Sequence, residues 1–311
     1  MTRPTAPTTA APLSRRRFLT ISACASLLAG QAGQAAPPAD WQGVALGAEA
    51  RITLHGPAHQ TGPALDAALT RLRQIEALFN LHDPGSAVSR LNAAGFLPDL
   101  APDFIRLLRL SDHVHHLTGG LFDPTVQPLW LALARGEDSR PARKAIGWNR
   151  LQTKSRGVKL APGQALTLNG IAQGYAADAL RETLARLGLT GALVDLGEFA
   201  ALGGPWRVGI ADPALGLVLD RPLRGNAIAT SSPAAMALGS GGHILNPQGE
   251  APPQWSTISV EADSAGLADG LSTALCFCNH AQLADILHRA GPSVTRITAI
   301  AANGDISTVE T

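Results

Sequence analysis

The chain has 311 residues, 45% of them hydrophobic and 16% charged, and carries a net charge of +1. That length and apolar share suit one large domain or two modest ones around a sizeable buried core. The nearly balanced charge, without a basic stripe or an acidic block, argues against a nucleic-acid surface and against a solvated acidic tail.

The first segment reads as a targeting signal rather than as fold. Ser14-Arg15-Arg16-Arg17-Phe18-Leu19-Thr20 is a twin-arginine pattern, an apolar stretch follows over 18–30, and a small-residue zone ends at Ala35-Ala36. The order is that of a cleaved leader, and the apolar stretch is too short for a stable membrane anchor. Residues 1–36 are expected to be a twin-arginine signal peptide cleaved near Ala35, with the protein exported to the periplasm. The folded domain is expected over 40–311.

The remaining chain mixes helical and strand patterns. "GVALGAEARITLHGP" alternates like a strand, with a bend at Gly47. Over 62–79, Leu65, Leu69, Leu72, Ile75 and Leu78 share one face of an amphipathic helix. Turn residues open "NLHDPGSAVSRLNAAG", a second helix is expected over 102–117, and "TGGLFDPTVQPLWLAL" begins as a loop. "LTLN" at 166–169 alternates like a strand and leads into a helix over 170–187. "TGALVDLGEFAALGG", "WRVGIADP", "NAIATSS" and "STISVEAD" read as strands, the first ending in a turn, and "GGHILNPQGE" as a glycine-rich loop. "GLADGLSTALCFC" begins a helix, and the chain closes in a hairpin turning at Asn303-Gly304. Without strict βαβ alternation the fold class is α+β, with mixed or antiparallel sheets flanked by helices. Cys276 and Cys278, one residue apart, read as small buried core residues, since a disulfide between such neighbours is strained and His280 alone does not complete a metal site.

Four places could carry chemistry. The 166–180 corner places two glycines where a helix begins, a position that favours anions, yet it lacks the lysine and hydroxyl of a P-loop and also serves as a close helix crossing. In "GLADGLSTAL", Asp269 and Thr273 share a helix face with Ser272 beside them. They form an oxygen set suited to Mg²⁺, or equally a helix cap. His243, after a glycine-rich run, suits proton abstraction or is an ordinary loop histidine. Phe122 and Asp123, between Gly-Gly and Pro124, form a ligand contact or a capped turn.

Order decides between these readings. "FNLHDPGSAVSRLN", "TGGLFDPTVQPLW", "TLNGIAQGYAAD", "ALVDLGEFAALGG" with "WRVGIADP", "AIATS", "GGHILNP" and "LADGLSTAL" together resemble the ApbE family of FAD:protein FMN transferases. The resemblance runs from Leu46 to about Cys278. It implies a Mg²⁺-dependent reaction in which FAD is split at its pyrophosphate, FMN passes to a Thr or Ser hydroxyl of a target protein, and AMP leaves. Asp269, Thr273 and the main chain at Gly170 match the family's metal site, and His243 its proton acceptor. Leu46, His82, Leu121, Phe122, Asp123, Thr167, Gln173 and Ile244 match FAD-contacting positions. His82 stands where the family often has tyrosine, Thr167 where aspartate is common, Gln173 where lysine is common, and Asn246 replaces the aspartate of H-I-[IL]-D-P. Losing an acid and a base together at 167 and 173 keeps the charge level. The implied target is a periplasm-facing flavin subunit of a membrane redox complex. A Mg²⁺-dependent FAD pyrophosphatase and a flavin binder without catalysis are the alternatives; a pure binder has no need of the base.

Overall fold

The computed structural model describes residues 39–154 and 156–311; the expected leader lies outside the described residues. Its frame is an eight-stranded sheet whose spatial order follows the chain. The strands are β1 (Ala39–Ala45), β2 (Ala48–His55), β3 (Gly191–Asp195), β4 (Phe199–Leu202), β5 (Ala227–Ser231), β6 (Thr257–Ala262), β7 (Val294–Ile300) and β8 (Ile306–Glu310). Every pairing in it is antiparallel, so the sheet is antiparallel rather than mixed.

The helices are α1 (Ala58–Phe79), α2 (Ala87–Ala94), α3 (Pro102–Leu117), α4 (Gln127–Arg135), α5 (Ser139–Ala145), α6 (Ala172–Arg186), α7 (Ala265–Leu275) and α8 (His280–Ala290). α3 has the bounds its pattern indicates. α1 starts earlier than its apolar spacing because the Pro57 carbonyl accepts from the Gln60 and Thr61 amides. The strand expected across Gly47 is a hairpin instead. Leu46 and Gly47 take φ of 50° and 88°, the two-residue turn that matches strand twist.

Segment 166–169 is not a strand. Leu166 and Leu168 are buried as the alternation requires. The main-chain groups, however, bond outside any ladder: Leu166 exchanges two hydrogen bonds with the Asn92 side chain, and the Thr167 amide donates to the Pro124 carbonyl. Alternation reports which side chains are buried, not where the amides go.

Both faces of the central strands are covered, which explains why their sequences read as continuous apolar runs. Ala192, Val194, Ala200 and Ala229 face the large core with the helices. Leu193, Phe199, Ala201 and Ile228 face a second core. That second core is roofed by the antiparallel hairpin of Trp206–Asp212 and Gly216–Leu223, which supplies Trp206, Val208, Ile210 and Leu223. Cys276 and Cys278 are free and buried, as expected.

α7 is the centre of the molecule. It packs on α6, α3, β5 and β6, and all its residues except Thr273 are buried. A methyl group added at Gly174 of α6 would lie 2.2 Å from the Ala265 carbonyl oxygen, so main chain meets main chain there. The Asp178 carboxylate, one turn further along α6, accepts the Ala265 and Gly266 amides, each at 3.0 Å, and the Ser264 hydroxyl at 2.7 Å. Ser264 in turn caps the Leu267 amide. The first turn of α7 is thus capped by the neighbouring helix as well as by its own residue.

Gly174→Ala is expected to lower stability by roughly 1–3 kcal/mol, because the added carbon meets backbone that no rotamer change can move. Helix propensity alone would give the opposite sign, a gain of about 1 kcal/mol. Urea unfolding decides: an unchanged or raised midpoint would refute the close crossing.

Candidate active site

The open side of this crossing is where the expected metal residues meet. Asp269 faces α6 from α7, and its Oδ2 accepts the Gly174 amide at 3.0 Å. It is 2% exposed, and burial pushes its carboxyl up to about 7. One turn on, Thr273 approaches Gly170, where an added methyl would sit 2.8 Å from its Oγ1. The loop glycine therefore opens a gap between its own main chain and the hydroxyl. Ser231 at the end of β5 closes the other side, 2.7 Å from Ser272 Oγ and 3.5 Å from Thr273 Oγ1.

A second buried carboxylate sits beside Asp269. Glu198, at the head of the turn into β4, accepts the Thr230 amide at 3.0 Å. Burial first, and then the Asp269 charge, holds its carboxyl well above the usual range. Neither acid forms an ion pair among the described residues. Two buried carboxylates without a cation are costly as anions. Among the described residues no three His, Cys, Asp or Glu side chains converge as a metal cage. The donor set present is a carboxylate, a hydroxyl and main chain, all oxygen. It suits a hard divalent ion that completes its shell with water and phosphate.

Several of the expected FAD-contacting segments are linked in pairs by direct contacts. The Leu46–Gly47 turn packs on the exposed His82 ring, and the Leu46 amide donates to Glu76 Oε1 at 3.0 Å. The bond from the Thr167 amide to the Pro124 carbonyl joins 121–124 to the stretch before Gly170. Gln173 lies over Gly197, in the turn that carries Glu198. Gln248 donates to the Gly119 carbonyl at 2.6 Å and ties the His243 loop to the 119–123 loop. Ile244 packs against the edge of the main core.

Asp123 behaves as a cap. Its Oδ1 accepts the Thr125 amide and hydroxyl, its Oδ2 the Trp148 amide. Phe122 is buried, and its carbonyl accepts from His115 Nδ1 at 2.7 Å. These two hold the segment from beneath, while Leu121 is half-buried at its edge.

His243 is fixed by two carbonyls. Its amide lies 3.1 Å from both the Pro233 and the Met236 oxygens, and its Nδ1 3.1 Å from the Pro233 oxygen, which can only accept. Nδ1 therefore carries the ring proton and Nε2 keeps its lone pair. Burial lowers the ring's pKa below 6.5 and favours that neutral form. An added methyl at Gly242 would fall 2.2 Å from the same oxygen, so the loop needs glycine before the histidine. Ser231 and Pro233, two residues apart, link the hydroxyl beside Thr273 to the carbonyl holding His243.

Glu198, Ser231 and the Ser232–Pro233 unit are the site residues that sequence reasoning passed over. Their segments, "DLGEF" and "AIATS", were visible as motifs, but no spacing singles out the side chains. A groove on the outer face of α1 and α6, lined by Asp66, Arg71, Gln74 and Arg186, contains none of the site residues.

Known proteins resemble this chain in sequence and in fold. The chain is 29% identical over 230 residues to the FAD:protein FMN transferase of Chlamydia pneumoniae, across 65% of this chain and 72% of that one. It is 28% identical over 213 residues to the Salmonella typhimurium protein of the same name, across 58% of this chain and 60% of that one. The ApbE protein of Thermotoga maritima superposes with a TM-score of 0.76 at 22% identity, covering 87% of this chain and 96% of that structure. The profile of the ApbE family matches residues 46–297, and the chain belongs to that family.

Proposed function

We propose that this protein is a Mg²⁺-dependent FAD:protein FMN transferase that modifies a Thr or Ser hydroxyl and releases AMP. One observation carries the reading: an oxygen donor set at Gly170, Asp269 and Thr273 and a histidine whose Nδ1 is held by the Pro233 carbonyl share the 231–233 segment. The names of the two relatives support it.

Asp269, Thr273 and the Gly170 main chain would hold the ion. When bound, Mg²⁺ supplies charge neutralisation on the pyrophosphate, the largest contribution in phosphoryl transfer. The remaining work belongs to the chain. His243 Nε2 takes the proton from the acceptor hydroxyl. The hydroxyl oxygen bonds to the FMN phosphorus, and the bond from that phosphorus to the bridging oxygen breaks, so that AMP leaves with the bridging oxygen. The Leu46, Leu121, Thr167 and Gln173 segments position FAD. The level exchange at Thr167 and Gln173 keeps the site's charge while giving up two fixed charges. The protein acts in the periplasm after twin-arginine export, on a flavin subunit exposed there.

Metal binding and proton transfer are separable. Asp269→Ala should abolish Mg²⁺ binding and FMN transfer together. His243→Ala should slow single-turnover transfer roughly 10²–10⁴-fold while FAD and Mg²⁺ affinities stay near parental. Transfer by His243→Ala at the parental rate would remove the base assignment.

Both groups give pH signatures. Asp269 binds the ion only as a carboxylate, and its pKa is raised to about 7. Calorimetry should therefore show Mg²⁺ affinity weakening as pH falls through about 7. The His243 base works as the neutral ring and titrates below 6.5. With Mg²⁺ and FAD saturating, transfer should persist below 6.5 and fall only under the lowered value; an acid limb above 6.5 would contradict this.

Export should depend on Arg15 and Arg16. Replacing both with lysine should leave the protein in the cytoplasm; mature protein recovered from the periplasm would refute the leader.

A further inference from the structure

A further buried acid, away from the oxygen donor set in sequence, is connected to the His243 loop by hydroxyl groups. Asp212 ends the strand Trp206–Asp212 of the roofing hairpin and is 2% exposed. Its Oδ1 accepts the Ala214 and Leu215 amides at 2.8 and 3.2 Å. Its Oδ2 accepts the Ser256 hydroxyl at 2.5 Å and the Thr257 hydroxyl at 2.7 Å. Thr257 Oγ1 lies 2.7 Å from Ser232 Oγ, and both residues are buried.

These contacts have a direction. With four donors aimed at it, Asp212 is a carboxylate and only accepts. The single Thr257 proton is committed to it, so Thr257 must accept from Ser232, and the Ser232 proton is committed in turn. Ser232 is held in one rotamer at the residue before Pro233. Proline fixes its own φ, so anchoring Ser232 restricts where the Pro233 carbonyl points. That carbonyl holds the His243 Nδ1 proton.

We propose that the chain Asp212–Thr257–Ser232 is a positioning relay that fixes the Pro233 carbonyl and thereby the tautomer and aim of His243. Resting on the reading of His243 as the base, it extends the proton-transfer machinery from the loop into the hairpin on the far face of the sheet. Asp212 and Thr257 touch no reacting atom; they act through Ser232 and Pro233.

The test is single-turnover FMN transfer by Thr257→Val, which keeps the shape and removes the hydroxyl. A misaimed base should cost about 10²-fold in rate, as small displacements from productive geometry do, while FAD affinity holds and the melting temperature falls only by what the lost hydroxyl contacts cost. Thr257→Ser should restore the rate. In a His243→Ala background Thr257→Val should cost nothing further. Nitrogen NMR of the His243 ring should show the Nδ1–H form alone in the parent and mixed tautomers in Thr257→Val. If Thr257→Val does not fold, Ser232→Ala breaks the same relay and carries the same expectations. A parental rate and an unmixed tautomer in Thr257→Val, beside a slow His243→Ala, would overturn the relay and leave the base assignment standing. A rate loss accompanied by an equal loss of FAD affinity would overturn it as a merely structural contact. A parental rate in His243→Ala would remove the base itself, independently of Thr257.

Discussion

The contact between α6 and α7 at Gly174 is the constraint on which the site depends. Because no side chain separates Gly174 from Ala265, the α6 main chain comes close enough for the Gly174 amide to reach Asp269. The same closeness brings Asp178 onto the first amides of α7. The start of α7 is thus held by α6, and the half-buried Thr273 near its end is delivered to Gly170. A wider helix crossing would keep the fold class and lose the donor set, since the carboxylate and the loop glycine would no longer share one small volume.

The sheet supplies the opposite wall. β5 ends at Ser231, beside Thr273, and the chain then turns through Ser232 and Pro233 to hold His243. A meander of sequential antiparallel strands lets each loop at this end contribute one residue or one backbone group. Glu198 comes from the β3–β4 turn, Ser231 from β5, and His243 from the loop after it. The electrostatic character follows from burial: two carboxylates, Glu198 and Asp269, are enclosed without a cation partner among the described residues, and burial makes both resist ionisation. A divalent ion held there would reverse that penalty and couple its binding to the charge on the two carboxylates.

Much of this was legible in the sequence where a pattern maps onto one face or one turn. The period of 102–117 gave the bounds of α3, and Asp269 and Thr273 at a spacing of four do share one face of α7. The legibility failed where long-range main-chain bonding decides. Leu166 and Leu168 alternate like a strand, yet their segment bonds to Asn92 and Pro124. Asp123 sits in a motif read either as a ligand contact or as a capped turn, and its oxygens cap the Thr125 amide and, 25 residues on, the Trp148 amide. Glu198 and Asp212 gave no local signal at all, because what distinguishes them is a neighbour far along the chain: Asp269 for one, Thr257 for the other.

The most direct test of the central claim is the identity of the product. Purified protein, FAD and Mg²⁺ are incubated with a periplasm-facing, Thr-containing flavin subunit, and the acceptor is analysed by intact-protein and peptide mass spectrometry. Transferase chemistry predicts FMN joined through phosphate to a single Thr or Ser, with one AMP released per adduct and neither product formed by Asp269→Ala. Free FMN and AMP with an unmodified acceptor, or intact FAD, would contradict it.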